Sequence, residues 1–145
     1  MKKKAIIISI KGTKLSNRER LLISKEKPWG IILFKRNIKS FNQIQKLVQD
    51  IKRSSRDKRF PILIDEEGKK VSRLSNIFNH DLNALFFGNI YKKNKRTAIN
   101  FYKLYLKYLC LILKKIGINI NTIPVPDVLR KNTHSIIGER SFSEK

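Results

Sequence analysis

The sequence predicts an α/β fold that corresponds to the N-terminal half, about four βα units, of a (β/α)8 TIM barrel. Four short runs rich in β-branched residues recur along the chain, and segments of helical character separate them. The runs are almost continuously apolar, which is typical of parallel strands covered on both faces. A complete barrel of this kind takes about 250 residues. The present chain has 145 residues, which suffice for one domain, residues 1–145.

The four predicted strands comprise residues 5–10, 30–34, 60–65 and 118–125. A helix is predicted between the first two strands, because Ser16 and Glu19 have the spacing of a capping box. In that motif each side chain accepts a hydrogen bond from the other residue's backbone amide. Leu15 precedes the cap, and Leu21 and Leu22 follow it on the predicted apolar side of the helix.

Two longer helices are predicted further along the chain. Residues 41–54, capped by Ser40, carry an apolar stripe with the spacing of a helix packed on a sheet, namely Ile44, Leu47, Val48 and Ile51. Residues 95–116 are predicted to end at Gly117, a good C-terminal stop, and to place Tyr102, Tyr105, Tyr108, Leu109 and Ile112 in the core. Residues 79–91 are predicted as a long loop with room for one short helix, and residues 129–145 as a polar loop.

The composition is that of a globular protein, except for its charge. Hydrophobic residues make up 41% and charged residues 30%, while the formal net charge is +22. Such a charge attracts polyanions non-specifically, so a basic nucleic-acid-binding domain is one interpretation. However, the basic residues are spread along the whole chain, and Lys is about twice as common as Arg, which is the residue favoured for bidentate phosphate and base contacts. This pattern favours compositional drift around a conventional core, with no specific nucleic acid as partner.

The sequence indicates a cytoplasmic protein. Cys110 is the single cysteine, so an internal disulfide is excluded and a reducing compartment is expected. The apolar run after the three lysines at the N-terminus is too short for a signal peptide and has no small-residue cleavage site. The longest apolar helix contains Lys103, Lys107 and Lys114, so no membrane association is expected.

Three adjacent carboxylates mark the candidate site. Asp65, Glu66 and Glu67 are three of only 11 acidic residues, and they stand where the third predicted strand ends. If the strands are parallel, Asp65 shares one rim with Asp127 and with the segment 34–37, which contains an arginine and an asparagine. Carboxylates and guanidinium groups on one rim suit a polyhydroxylated ligand. A solvated acidic loop or a structural cap is the alternative, and adjacent side chains in a turn are not expected to point the same way.

No metal site is predicted. Neither His80 nor His134 belongs to a recognisable ligand motif, and the single cysteine has no partner. The acidic cluster lacks a further carboxylate at a recognisable spacing, which leaves only a weak signal for a divalent cation.

Four segments, in order, resemble the motifs of glycoside hydrolase family 3. Residues 65–73, Asp-Glu-Glu-Gly-Lys-Lys-Val-Ser-Arg, are similar to the signature Asp-x-Glu-Gly-Gly-x-Val-x-Arg. The other three are residues 30–37, 124–128 and 136–142, which resemble Gly-Gly-Val-Ile-Leu-Phe-x-Arg-Asn, Pro-Val-Leu-Asp-Val and Ile-Gly-Asp-Arg-Ser-Phe. The resemblance is greatest to the bacterial β-N-acetylhexosaminidases of peptidoglycan recycling, and it covers nearly the whole chain.

The resemblance implies a sugar-binding role for three residues. Asp65 matches the aspartate that binds the sugar hydroxyls, Arg73 an arginine on the same sugar, and Arg140 an arginine that reaches the N-acetylglucosamine ring. The implied reaction is retaining hydrolysis of terminal β-linked N-acetylglucosamine from muropeptide-type sugars, with no cofactor and no metal. Lys69 stands where the family has its second glycine. We expect this side chain to distort the loop that carries Asp65, because glycine permits backbone angles that lysine resists.

The resemblance also implies that no catalytic residue is present. In the family the nucleophilic aspartate and the Asp-His acid/base pair lie in later segments, beyond the position of Lys145. The chain is therefore expected to be a truncated N-terminal domain, inactive and poorly stable alone. The alternative is a pseudoenzyme, or a half-barrel that pairs with a complementary C-terminal half on a second chain.

Overall fold

The computed structural model describes residues 3–144 and has the predicted α/β architecture. The strands are β1 (Lys4–Ser9), β2 (Pro28–Leu33), β3 (Ile62–Ile64), β4 (Ile120–Asn121), β5 (Val128–Leu129) and β6 (Ser143–Glu144), and the helices are α1 (Asn17–Glu26), α2 (Phe41–Ser55), α3 (Ala84–Lys93) and α4 (Lys95–Ile116). None of the helices in the described part of the chain combines the length and the apolar character needed to cross a membrane.

The first four strands form one parallel sheet in the order β1-β2-β3-β4. The strand order follows the chain without reversal, as in the first half of a (β/α)8 barrel and unlike a doubly wound sheet, in which the order reverses at a switch point. Because all four strands run the same way, their carboxyl ends lie at one edge. The loops that follow β2, β3 and β4 therefore meet at that edge.

The helix-facing side of the sheet is a closed apolar core. Ile31 and Leu33 of β2 pair in register with Ile62 and Ile64 of β3, and all four side chains are 0% exposed. Against them pack the predicted stripe of α2 and three buried residues of α4, namely Ile44, Leu47, Val48, Ile51, Leu109, Leu113 and Ile116. The periodicity of α2 thus predicted this side of the core correctly.

The β1 edge of the sheet is open. On β1, Ile6 is 51% and Ile7 44% exposed, so the prediction that both faces of every strand are covered is wrong here. Leu21 and Leu22 of α1 are 56% and 44% exposed, which corrects the prediction that they lie on its apolar side. Within α1 it is Ile23 that is buried.

The predicted helix caps are present. The side chains of Ser16 and Glu19 form the full capping box, and the hydroxyl of Ser40 accepts a hydrogen bond from the amide of Gln43. Gly117 ends α4 with a φ of 95°, a left-handed conformation that suits glycine. These caps define the ends of the helices because each one satisfies backbone groups that the helix itself leaves unpaired.

Several predicted boundaries differ from the structure. The fourth strand has only two residues, and Asn119 and Asn121 bond through their side chains to the backbone of neighbouring segments. Residues 84–93 form a complete helix, capped by Asn83, rather than a loop with a short helix. Tyr108 is 56% exposed and not part of the core, and the predicted polar loop contains β6.

Candidate functional site

The three adjacent carboxylates after β3 point to three different parts of the molecule, as expected for neighbours in a turn. Asp65 lies at the rim, where its Oδ1 accepts a hydrogen bond of 2.8 Å from the hydroxyl of Thr122, just after β4. Its Oδ2 lies 3.5 Å from Nη2 of Arg73. The structure thus brings together two of the three predicted site residues, and both remain partly exposed to solvent.

An aromatic ring from the loop after β2 supports the guanidinium group of Arg73. The centroid of the Phe34 ring is 5.6 Å from Cζ of Arg73 and 4.6 Å from Cζ of Arg36. Cations over an aromatic face are attracted by its quadrupole. The segment 34–37 therefore reaches the rim, as the parallel strand order predicts.

The third predicted residue, Arg140, is bound to Glu67. Its Nε and Nη2 donate to the two oxygens of Glu67 at 2.7 and 2.9 Å. This hydrogen bonding to Glu67 raises the pKa of Arg140, burial opposes the change, and the charges of Glu67, Asp127 and Asp65 add to it. Arg140 therefore lies within electrostatic reach of both rim aspartates, although its direct partner is Glu67.

Glu66 points inward and is 0% exposed. Its Oε2 accepts hydrogen bonds from the backbone amides of Arg73 at 2.7 Å and Leu74 at 2.8 Å. The side-chain amide of Asn121 bonds to both the N–H and the C=O of Glu66, at 3.0 and 3.2 Å. This carboxylate holds the loop that follows it and cannot face a ligand at the rim.

The turn after the carboxylates tolerates lysine where the family signature has glycine. Gly68 has a φ of +128°, and a Cβ there would lie 2.2 Å from the carbonyl oxygen of Leu82, so this position requires glycine. Among the described residues, Lys27 and Arg56 are the non-glycine residues with positive φ, and Lys69 is not one of them. Its amide donates to Leu82 at 3.1 Å. The backbone strain expected at Lys69 is therefore absent.

Other candidates lie outside the site. Asn37 is 0% exposed and binds the carbonyls of Ile10 and Gly12, so it is structural rather than a rim ligand. His134 is exposed, and its Nδ1 accepts from the amide of Ile136. In the part of the chain that the structure describes, no three His, Cys, Asp or Glu side chains are arranged to hold a metal ion.

Sequence reasoning missed the residues that fix the carboxylates in place. Thr122 and Asn121 lie within the predicted fourth strand, residues 118–125, whose apolar run is interrupted by polar residues, and that interruption was the available signal. His80 had no identifiable partner in the sequence, yet its Nε2 lies 3.4 Å from Oε1 of Glu66. Contacts of this kind join segments far apart in the chain, so spacing alone does not predict them.

The arrangement is suited to binding hydroxyl groups. A carboxylate accepts from vicinal hydroxyls, and guanidinium groups donate to ring oxygens or to an acyl carbonyl. Asp65, Arg73 and Arg140 provide these groups at the carboxyl-terminal edge of the sheet, where α/β proteins of this type place their ligands. The site thus combines hydrogen-bond acceptors and donors on one rim.

Comparison with known proteins identifies one family and relatives that match nearly the whole chain. The family model for the glycosyl hydrolase family 3 N-terminal domain matches residues 2–145. A β-hexosaminidase of Thioalkalivibrio sulfidiphilus is 28% identical over 137 residues, which cover 94% of this chain and 39% of the relative. A β-hexosaminidase of Xanthomonas axonopodis pv. citri is 29% identical over 97% of this chain and 41% of its own length. The chain thus spans about two fifths of the length of the curated relatives it matches.

Solved structures show the same fold. NagZ of Neisseria gonorrhoeae, in complex with N-trifluoroacetyl-D-glucosamine, superposes with a TM-score of 0.85 and 26% identity, covering 97% of this chain and 41% of that one. A family 3 β-N-acetylglucosaminidase of Paenibacillus sp. str. FPU-7 superposes with a TM-score of 0.71 and 25% identity, covering 95% of this chain and 26% of that one.

Proposed function

Since the chain belongs to glycosyl hydrolase family 3, through its N-terminal domain, we propose that it supplies the sugar-binding half of a β-N-acetylhexosaminidase. The substrate class is terminal β-linked N-acetylglucosamine in muropeptide-type sugars, encountered in the cytoplasm. The observation that carries this proposal is the partly exposed Asp65–Arg73 pair at the rim, 3.5 Å apart and at the matching positions of the family signature.

Each of the three residues has a role that follows from its chemistry. Asp65 accepts hydrogen bonds from two neighbouring hydroxyls of the sugar, with Thr122 holding one of its oxygens in place. Arg73 donates to the same ring while Phe34 supports its guanidinium plane. Arg140 uses Nε and Nη2 for Glu67, so Nη1 is the nitrogen that it offers to the sugar.

We assign the bond-breaking step to groups outside this chain. Retaining glycosidases need a free carboxylate nucleophile about 5–5.5 Å from an acid/base group. The three clustered carboxylates do not suit this role. Asp65 is paired with Arg73 and Thr122, Glu66 is buried, and Glu67 is bound to Arg140 by two hydrogen bonds. Binding rather than catalysis is the function that this geometry supports.

A second proposal is that the chain acts as a half-barrel completed by a complementary C-terminal half. It is supported by the apolar residues left exposed at both ends of the sheet, namely Ile6, Ile7, Leu21 and Leu22 near β1, and Leu104, Tyr108 and Leu111 on α4 before β4. In a complete barrel the eighth and fifth βα units lie beside the first and fourth, so we expect them to cover these side chains.

Sugar binding is tested by titrating the purified chain with N-acetylglucosamine and following backbone amide signals by NMR. We expect saturable shifts at Asp65, Arg73 and Arg140. Asp65→Asn should weaken binding about tenfold, the loss typical of one charged hydrogen bond. Asp57→Asn is the matched control, because Asp57 precedes β3 and pairs with Lys3 at the opposite end of the sheet. Equal affinity of the two variants, or no binding by the native chain, would overturn the proposal.

Catalysis is tested separately with a chromogenic N-acetylglucosaminide. The chain alone should give no turnover above background. Addition of a polypeptide that carries the remaining βα units, with their nucleophile and acid/base pair, should restore it, and Asp65→Asn in the restored enzyme should abolish most of the rate. Turnover by the chain alone would contradict the assignment of the chemical step.

A further inference from the structure

We propose that Glu66 and His80 are positioning residues, which hold Arg73 where it can bind sugar; the proposal rests on the sugar-binding function proposed above. Glu66 occupies a position that the family signature leaves open, between Asp65 and Glu67. Its side chain touches neither the rim nor Arg140. Its contacts instead run to the backbone of Arg73 and to the ring of His80.

The hydrogen bonds of Glu66 account for the position of the Arg73 backbone. The amides of Arg73 and Leu74 both donate to Oε2, at 2.7 and 2.8 Å. Leu74 is 0% exposed, so its amide has no access to water and needs a protein acceptor. From this fixed backbone the Arg73 side chain extends to Asp65 and over the Phe34 ring. Movement of the backbone would therefore separate the guanidinium group from both contacts.

His80 closes the same loop from its far end. Its side chain is 8% exposed, and its Nε2 lies 3.4 Å from Oε1 of Glu66. The His80 ring packs 5.0 Å from that of Phe78 and edge-on at 5.4 Å from that of Tyr105. Burial raises the pKa of Tyr105, and the nearby charge of Glu66 raises it further. The carboxylate, the imidazole and the phenol thus form one buried polar cluster beneath the loop 66–80.

Stability alone does not explain this cluster. Within residues 3–144, Oε1 of Glu66, both nitrogens of His80 and the hydroxyl of Tyr105 are buried without a hydrogen-bond partner. Buried polar atoms of this kind are unfavourable, and apolar residues of similar volume would avoid the cost. What an apolar side chain cannot provide is the acceptor for the amides of Arg73 and Leu74. The carboxylate of Glu66 therefore serves to place Arg73, and the ring of His80 packs beside it.

The test compares Glu66→Met, which keeps volume but removes the acceptor, with Glu66→Gln, which retains one acceptor oxygen. Amide hydrogen exchange reports on the anchor without any ligand. We expect Glu66→Met to accelerate exchange at Arg73 and Leu74 by about tenfold relative to Ile31 and Ile64 in the sheet, and Glu66→Gln to restore part of the protection. Glu26→Gln is the control, because Glu26 is an exposed carboxylate paired with Lys4, and it should not change exchange at Arg73 or Leu74.

His80→Phe tests the second residue, because it keeps an aromatic ring against Phe78 and Tyr105 and removes the nitrogens. It should accelerate hydrogen exchange at the same two amides. In the double variant with Glu66→Gln, the increase in exchange rate should be smaller than the product of the two single increases, as expected for residues that act together. Multiplicative effects would show that His80 acts independently and would overturn its part in the proposal.

Measuring sugar affinity distinguishes a positioning role of Glu66 from a general effect on stability. In Glu66→Gln the affinity for N-acetylglucosamine should fall about fivefold, with the exchange of the sheet amides unchanged. Uniform acceleration over the sheet, or unchanged protection at Arg73 and Leu74, would overturn the proposal, as would native affinity in a variant with a loosened loop. If the native chain does not bind the sugar, the proposed sugar-binding function is wrong, and so is the proposal that Glu66 positions Arg73 for sugar. The exchange data still decide whether Glu66 anchors the loop.

Discussion

The central strands and the edge strand of the four-stranded sheet differ sharply in how completely their side chains are covered. On the helix-facing side, Ile31, Leu33, Ile62 and Ile64 are all 0% exposed. On β1, at the end of the sheet, Ile6 and Ile7 are 51% and 44% exposed, although they belong to the same kind of apolar run. Similar residues in neighbouring strands thus have opposite environments, because β2 and β3 have a neighbouring strand on each side whereas β1 lies at the edge of the sheet.

This difference separates the surface that stabilises the fold from the surface that remains exposed in the isolated chain. Burial of apolar area is the main favourable contribution to folding, and here it is concentrated between the sheet and the helices. The exposed edge contributes little to the isolated chain, but it is the surface that the proposed C-terminal half would cover. The following variants test that division, from the largest expected effect to the smallest.

The largest effect is expected from Ile64→Ala, in the closed core. Removal of a fully buried isoleucine side chain leaves a cavity and costs about 2–5 kcal/mol. Ile7→Ala, on the exposed edge strand β1, is the matched change and should cost about 0.5 kcal/mol or less. The free energies of unfolding are measured by urea titration followed by circular dichroism. Equal costs would show that the Ile7 side chain is covered in solution, and the comparison between the central strands and the edge strand would then fail.

An intermediate effect is expected on self-association. An open strand edge with exposed apolar residues invites edge-to-edge pairing, so the chain should associate as its concentration rises, most clearly in salt that screens its charge of +22. Ile7→Lys should shift the sedimentation velocity profile toward the monomer. Val128→Lys replaces a residue of equal exposure, 43%, outside the four-stranded sheet and adds the same charge. A similar shift in both variants would assign the effect to charge and not to the edge.

The smallest effect concerns pH and the cap of α1. Burial by itself raises the pKa of Glu19, but hydrogen bonds from the amides of Lys11 and Ser16 and from the Ser16 hydroxyl, with the charge of Lys11, lower it below its ordinary value of 4.5. A lowered pKa in the folded state means that Glu19 contributes stability above pH 4.5 and loses it as the pH falls through the folded value.

Glu19→Gln should therefore lower stability at neutral pH by about 1 kcal/mol or less, the size of a helix cap, and this difference should disappear in acid. Urea titrations at several pH values measure it. Asp81→Asn, at an exposed carboxylate, makes the same change in charge and serves as the control. A difference that persists unchanged below pH 4 would show that the charge of Glu19 is not responsible.

The sequence by itself determined the helix caps, the buried face of α2 and the family. The 3.6-residue spacing of α2, the caps at Ser16, Ser40 and Gly117, and the continuous apolar runs were sufficient, because each depends on residues close together in the chain. The order of strands and the position of Asp65 at the carboxyl-terminal edge followed from these elements. The motifs around Asp65 and Arg140 also identified the family.

Only the tertiary structure decided the location and the partner of each of the three carboxylates. Asp65, Glu66 and Glu67 are adjacent and chemically alike, yet one lies at the rim, one is buried against the amides of Arg73 and Leu74, and one binds Arg140. Their partners come from segments more than 50 positions away in two of the three cases, as the contacts with Thr122 and Arg140 show. Exposure of the apolar edge was likewise decided by which neighbours pack against it. Spacing within one segment does not determine contacts between segments, since those depend on how the whole chain is folded.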